Sequence, residues 1–205
     1  AGKGPPLLLL HGLGASTVTW RDNVGPLSQH FRVYALDLPG HGNSDKLSIE
    51  YDSTRIVRLL VLTIKALGIE ELAIIGNSVG GALALMIALR HPDLVSKLVL
   101  VNSAALGREI TFYLRLVSIP FLGKMLEGSG LNGTRLMLKK IFHDPRFVTQ
   151  DLINELSRSR SSPGAKDAVV KVIRDTVNVM GVRQEYVLAD ELQSLGLPLL
   201  VIWGR

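Results

Sequence analysis

Short, uninterrupted apolar runs recur along the chain, each closed by glycine, proline or small polar residues. They fall at residues 7–10, 31–36, 72–75, 98–101 and 199–203. Runs this short, rich in leucine, isoleucine and valine and bounded by turn formers, predict buried strands. Helical spacing lies between them. Asp52 or Ser53 caps a helix whose apolar positions Ile56, Leu59, Leu60, Leu62, Ile64 and Leu67 suit a face packed on a sheet, with Gly68 as its stop. An alanine- and leucine-rich run at 82–89 forms a second helix, ended by His91-Pro92, and 20–27 a short helix or turn. Continuously apolar strands alternating with helices predict an α/β fold: a mostly parallel sheet with helices on both faces.

The alternation breaks at about residue 105 and resumes near 190. Helical pieces are expected at 108–117, 134–142, 149–159 and 165–178, with no strand among them. Gly128, Gly130 and Gly133 loosen one joint and Pro163-Gly164 another. The expected organisation is therefore a first part of the core at 1–104, a helical cap insertion at 105–190, and a return to the core with a last strand at 191–205. Such an insertion sits over the carboxyl ends of the strands, where open α/β sheets bind ligands.

One joint carries chemistry. Ile74-Ile75-Gly76-Asn77-Ser78-Val79-Gly80-Gly81 reads as a strand, a very tight turn and a helix. Ser78 then stands out from the sheet edge at a helix N-terminus, where free N–H groups favour developing negative charge. Gly76 and Gly80 are expected to clear space for it, and Gly81 to let the helix press on the strands. G-x-S-x-G is a short pattern in a chain with 20 glycines. The strand before it and the small-residue helix after it favour a nucleophile over a chance match. Gly12 and Gly14 follow the first strand and allow backbone N–H groups to approach a ligand. The turn-rich stretch 37–45 is a loop.

Composition narrows the alternatives. The 205 residues, 47% hydrophobic and 20% charged, suit one generous globular domain or a core with an insertion. The net charge is +5, but the basic residues are dispersed, with Lys139-Lys140 the densest pair, so a solvated surface is expected and no nucleic-acid partner. Absence of cysteine excludes disulfides, thiolate metal sites and cysteine nucleophiles. The longest apolar candidate, 110–126, is interrupted by Arg115, Pro120 and Lys124, so stable membrane insertion is not expected. The chain opens on Ala1 and enters a strand almost at once, which reads as a start cut within the fold. A small-molecule substrate, no cofactor or metal, and a cytoplasmic setting are expected; nothing in the sequence sets the oligomeric state.

His11-Gly12-Leu13-Gly14 after one strand, the 37–45 loop after the next, Gly76-Asn77-Ser78-Val79-Gly80-Gly81 after the third, a helical insertion and Trp203-Gly204 together resemble the α/β-hydrolase superfamily, nearly end to end. The pattern is most similar to cap-bearing serine hydrolases, including carboxylesterases and carbon–carbon bond hydrolases. Dehalogenases and epoxide hydrolases of this fold keep an aspartate where Ser78 stands. The resemblance implies Ser78 as nucleophile on a small ester, lactone or C–C substrate through an acyl-enzyme. The N–H groups of Val79 and Leu13 would form the oxyanion hole, each donor typically worth about 3–4 kcal/mol in the transition state. Gly12 and Asn77 would border the substrate, Asn77 orienting it or bracing the loop.

The resemblance leaves no base among the histidines. His11 shapes its loop, His41 is structural, His91 ends a helix, His30 precedes a strand and His143 belongs to the insertion. Asp37 and Asp45 are expected to brace a loop, 158–162 to be an exposed loop, and Arg183 to be solvated. The triad acid usually follows the W-G strand and the histidine comes later, so both are expected beyond Arg205; the earlier alternative position holds Asn102-Ser103. A chain truncated at both ends would be essentially inactive alone, since losing a triad histidine costs about six powers of ten in turnover. The competing expectations are a non-catalytic small-ligand binding protein of the same fold and lipid association through 110–122.

Overall fold

A computed structural model of the chain describes residues 1–47, 50–126 and 130–204. In chain order the core comprises β1 (Pro6–Leu10), α1 (Arg21–Ser28), β2 (Arg32–Leu36), α2 (Ser53–Ala66), β3 (Leu72–Asn77), α3 (Val79–Arg90) and β4 (Val95–Val101). Then come α4 (Phe112–Val117), α5 (Leu122–Leu126), α6 (Gly130–Ile141), α7 (Gln150–Arg160) and α8 (Ala165–Thr176). The short strands β5 (Val177–Asn178) and β6 (Gly181–Val182) precede β7 (Leu199–Ile202). β2, β1, β3, β4 and β7 form one five-stranded sheet in that order, every pairing parallel.

β1 lies in the interior of the sheet, and Leu7, Leu8, Leu9 and Leu10 are each at most 2% exposed. The two-residue period of the pleat divides them. Leu8 and Leu10 join Ile74, Leu98 and Leu100 under α2 and α3, while Leu7 and Leu9 pack with Trp20 and Val33 beside α1. α3 is apolar all round because it is buried all round: Gly80, Gly81 and every residue from 83 to 88 are inaccessible.

The phase of α2 differs from the expected one. Asp52 caps it, its carboxylate accepting the Arg55 N–H at 2.9 Å. The buried stripe is then Ile56, Val57, Leu60, Val61 and Ile64, whereas Leu62 and Leu67 face solvent. Val57 and Val61 lie one position beyond Ile56 and Leu60 and share the broad face that a sheet covers. Gly68 stops the helix with φ +69° as expected.

The insertion also departs from expectation. α8 ends at Thr176, and β5 and β6 form a two-residue antiparallel ladder where a helix or no strand was expected. Asn178 Oδ1 accepts the Met180 N–H at 2.9 Å and Gly181 takes φ +122°, so the chain reverses within two residues. α4 starts at Phe112, four residues later than expected, and α5 went unforeseen. Gly133 lies inside α6 instead of loosening a joint, and Gly128 lies outside the described residues. Among the described residues no helix is long and apolar enough to cross a membrane.

The parallel register brings Leu10 beside Leu36 and Gly76, Asn77 beside Val101, and Val101 beside Ile202. All five carboxyl ends therefore share one edge. The segments that follow these strands meet there.

Candidate active site

Ser78 is the N-cap of α3 with φ +52° and ψ −117°, and its hydroxyl makes no capping bond. A non-glycine residue held there costs roughly 1–3 kcal/mol and persists only where its surroundings over-determine it. The surroundings do so through the backbone. The Ser78 N–H donates to Val101 O at 3.0 Å, and Ser78 O accepts from the Ala82 and Ala104 N–H groups, both at 3.1 Å.

The glycines share the work differently than the pattern suggested. A Cβ on Gly76 would lie 2.4 Å from Gly80 O and 2.6 Å from Gly81 Cα, so this glycine makes room for the first turn of α3. A Cβ on Gly80 would lie 2.4 Å from Leu10 O and 2.5 Å from His11 O. Gly80 thus lets the helix press on β1, and Gly81 lets it press on β3, its added Cβ falling 3.0 Å from Gly76 O. Gly81 clears Ser103, whose side chain would be 2.9 Å away.

Ser78, Val79 and Leu13 line one cavity of about 90 Å³. Val79 is the first residue of α3, so its N–H has no acceptor within the helix. Gly12 and Asn77 sit behind this wall and do not line the cavity. A Cβ on Gly12 would stand 3.0 Å from Asn77 Oδ1 and 3.2 Å from Ser78 Cβ, so a larger residue there would press on the serine turn. Asn77 Nδ2 donates to Val101 O at 3.2 Å, a contact that ties β3 to β4. Sequence reasoning missed the hydroxyls of Ser53, Thr176 and Tyr186 in the lining, because they come from three separate elements.

His11 is fully buried. Its Nε2 accepts the Leu38 N–H at 3.0 Å, so the proton resides on Nδ1, which donates to Gly12 O at 2.8 Å. Burial holds its pKa below the ordinary histidine value, against the opposing pull of the Gly12 carbonyl and Asp37. Burial, and then His11, pushes His41 down to about 3. The two rings lie 5.4 Å apart, and neither reaches the cavity. Asp37 accepts the N–H groups of Thr17 and Asn43, both at 2.7 Å, and so joins the loops after β1 and β2. Asp45 closes its loop through its carbonyl, which accepts the Gly40 N–H. Among the described residues no imidazole or carboxylate lines the cavity.

Two arginines correct the sequence reading. Residues 158–160 belong to α7, and Arg160 Nη1 donates to Gly14 O at 3.0 Å, binding the insertion to the loop that carries Leu13. The signal was present, since Arg160 is four positions after the fully buried Leu156 and shares its face. Arg183 is half-buried instead of solvated, and its Nη2 donates to Arg174 O at 3.2 Å.

A strained serine between a parallel strand and a helix, at the edge where two glycine-bearing loops converge, is the arrangement of α/β hydrolases, and residues 5–118 match the alpha/beta hydrolase fold family. The chain belongs to that family. It is 44% identical to a 2-hydroxy-6-oxo-6-(2'-aminophenyl)hexa-2,4-dienoic acid hydrolase of Metapseudomonas resinovorans, covering 100% of this chain and 69% of that protein. It is 31% identical to a pimeloyl-[acyl-carrier protein] methyl ester esterase of Vibrio campbellii, covering 100% of this chain and 77% of the relative. The meta-cleavage product hydrolase of Pseudomonas fluorescens superimposes with a TM-score of 0.79 at 27% identity, covering 100% of this chain and 74% of that one. Against other curated relatives the chain spans 62% of their length.

Proposed function

We propose that this chain carries the nucleophile and the oxyanion hole of a serine hydrolase that cleaves a small ester, lactone or activated C–C bond. The observation that carries the reading is Ser78, held at φ +52° on the N-terminus of α3 with its residue on the cavity wall. Its Oγ attacks the carbonyl carbon and passes its proton to a histidine. The oxyanion is received by the N–H groups of Val79 and Leu13. Collapse expels the leaving group with that proton, and water then releases the acyl group from Ser78. The reaction calls for no cofactor. Gly12 and Asn77 keep the serine turn in shape at the border of the substrate site, and residues 105–190 act as the cap that closes it.

Base and acid come, in this reading, from polypeptide outside the described residues. Support lies in the parallel sheet: β7 ends at the same edge as Ser78, and the Gly204 N–H donates to Asn102 Oδ1 at 2.9 Å beside the end of β4. Relatives named as a hydroxy-oxo-dienoic acid hydrolase and a methyl ester esterase support a hydrolase acting on a carbonyl substrate.

The test compares two polypeptides on a short-chain aryl ester. In the intact protein, Ser78→Ala lowers kcat by about 10⁶. Residues 1–205 alone stay at least a thousandfold below the intact enzyme. Ordinary turnover by residues 1–205 would place the base inside them and overturn this assignment; full turnover by Ser78→Ala would remove the nucleophile.

A further inference from the structure

We propose that the outer surface of α4, α5 and the β5–β6 hairpin docks this protein on an anionic lipid bilayer. α4 and α5 already bury one side, where Leu114 and Leu126 pack on Val117 and on Val170 and Ile173 of α8. Their other side is apolar as well. Phe112, Phe121 and Met125, with Val179 and Met180 at the hairpin tip, are each more than half exposed. The pieces adjoin. Tyr113 Oη donates to Leu126 O at 2.9 Å, which joins α4 to α5. Arg108 O accepts the Val182 N–H at 3.1 Å, which joins the approach to α4 to the hairpin. Apolar surface gathered from neighbouring elements marks an interaction site, where single scattered side chains would not. Phe121 gives the strongest sign. It follows Pro120 between α4 and α5 with φ +68°, a region that a bulky side chain rarely adopts. Strain of this kind clusters at functional sites, and here it holds a ring in solvent, where the fold gains no burial from it.

Charge selects the occupant. Residues 105–147 hold seven lysines and arginines against three acidic residues, whereas 1–104 hold nine against eight and 148–190 six against six. Most of the net charge of +5 therefore lies in the part of the insertion that carries the exposed rings. Lys140 Nζ sits over the Tyr113 ring, 5.6 Å from its centre, so a cation of α6 stands beside α4. Arg108 is exposed next to the hairpin, with Glu109 as its acidic neighbour. Rings that enter the headgroup layer, with cations beside them among the lipid phosphates, form an interfacial anchor. A second copy paired face to face would instead set the same cations against one another. The contact is peripheral, since α4 and α5 are only six and five residues long. Leu114 of α4 also lines the cavity beside Ser78, so docking sets one wall of that cavity close to the bilayer.

Flotation of the intact protein with vesicles tests the proposal, using phosphatidylcholine alone or with about a third phosphatidylglycerol. Binding to the mixed vesicles should be at least about tenfold tighter and should weaken as salt is raised. Phe121→Gly removes the ring at a φ that glycine takes freely, so the fold is kept, and should weaken binding at least about fivefold. Lys140→Glu should weaken binding to the mixed vesicles by a similar factor and leave phosphatidylcholine binding unchanged. Absence of binding to either vesicle overturns the proposal. So does equal binding to both, or binding that Phe121→Gly leaves intact. A dimer in sedimentation that Phe121→Gly dissociates, with no vesicle binding, would give the surface to a second copy and overturn it as well.

Discussion

The sheet with α2 and α3 and the helices between β4 and β7 solve the burial problem differently. In the first region β1 is covered on both faces and α3 on all sides, and one large cluster runs from Leu8 through Ile74 to Leu100. In the second, burial is divided among small clusters, one around Val117, Val170 and Ile173 and another around Leu138, Leu152 and Leu156. The most exposed apolar side chains lie there, Phe112 at 72%, Phe121 at 93% and Met125 at 75%, whereas in the first region they are confined to its margins, chiefly the edge strand β7, which is exposed instead of buried as expected. The difference assigns the tasks. A strained serine needs neighbours that cannot yield, which the interior strands and the enclosed α3 provide. The walls that set substrate size need only a few side chains, which amphipathic helices supply without a core of their own.

Substitutions can break this contrast, the largest effect coming from the rigid side. Gly80→Ala places a Cβ 2.4 Å from Leu10 O, a collision with backbone, and should cost at least about 3 kcal/mol with loss of activity. Gly196, exposed ahead of β7, has nothing within 4 Å of an added Cβ and no left-handed φ, so Gly196→Ala should stabilise by about 0.4–1 kcal/mol. Urea unfolding of both variants checks the pair. Equal effects would mean that the serine turn is not packed as described.

The histidines beneath the loops sharpen the contrast through pH. His41, held down to about 3, is neutral in the folded protein while its unfolded counterpart titrates at 6.5. Its contribution is therefore fully present above about 6.5 and is lost as pH falls toward 3, at up to about 1.4 kcal/mol per pH unit. The lowered His11 adds in the same direction. His41→Gln should flatten the stability profile across that window. An unchanged slope would remove burial as the cause. The smallest expected effect is on the strut between the regions: Arg160→Leu, which cuts the bond to Gly14 O, should lower kcat by about tenfold with less than about 1 kcal/mol change in stability.

Much of the sheet was legible because strands covered on both faces have one readable signature, four leucines in a row at β1. The serine turn was legible because strand, small residues and helix are contiguous. What escaped depends on meetings across the chain. Arg160 and Gly14 are far apart in sequence, and the β5–β6 ladder exists through an Asn178 side chain and a left-handed Gly181. That Gly80 faces the backbone of β1 and its loop, beyond the approach expected of Gly81, is a fact no local pattern carries. Ser53, Thr176 and Tyr186 converge on one cavity from α2, α8 and the segment after β6.

The most direct measurement is peptide mapping of the intact protein after exposure to a fluorophosphonate. The adduct should lie on Ser78 and on no other serine, and be lost in Ser78→Ala. Label on Ser103, or on a serine of the insertion, would contradict the claim that the strained residue at the start of α3 is the one that strikes carbonyl carbon.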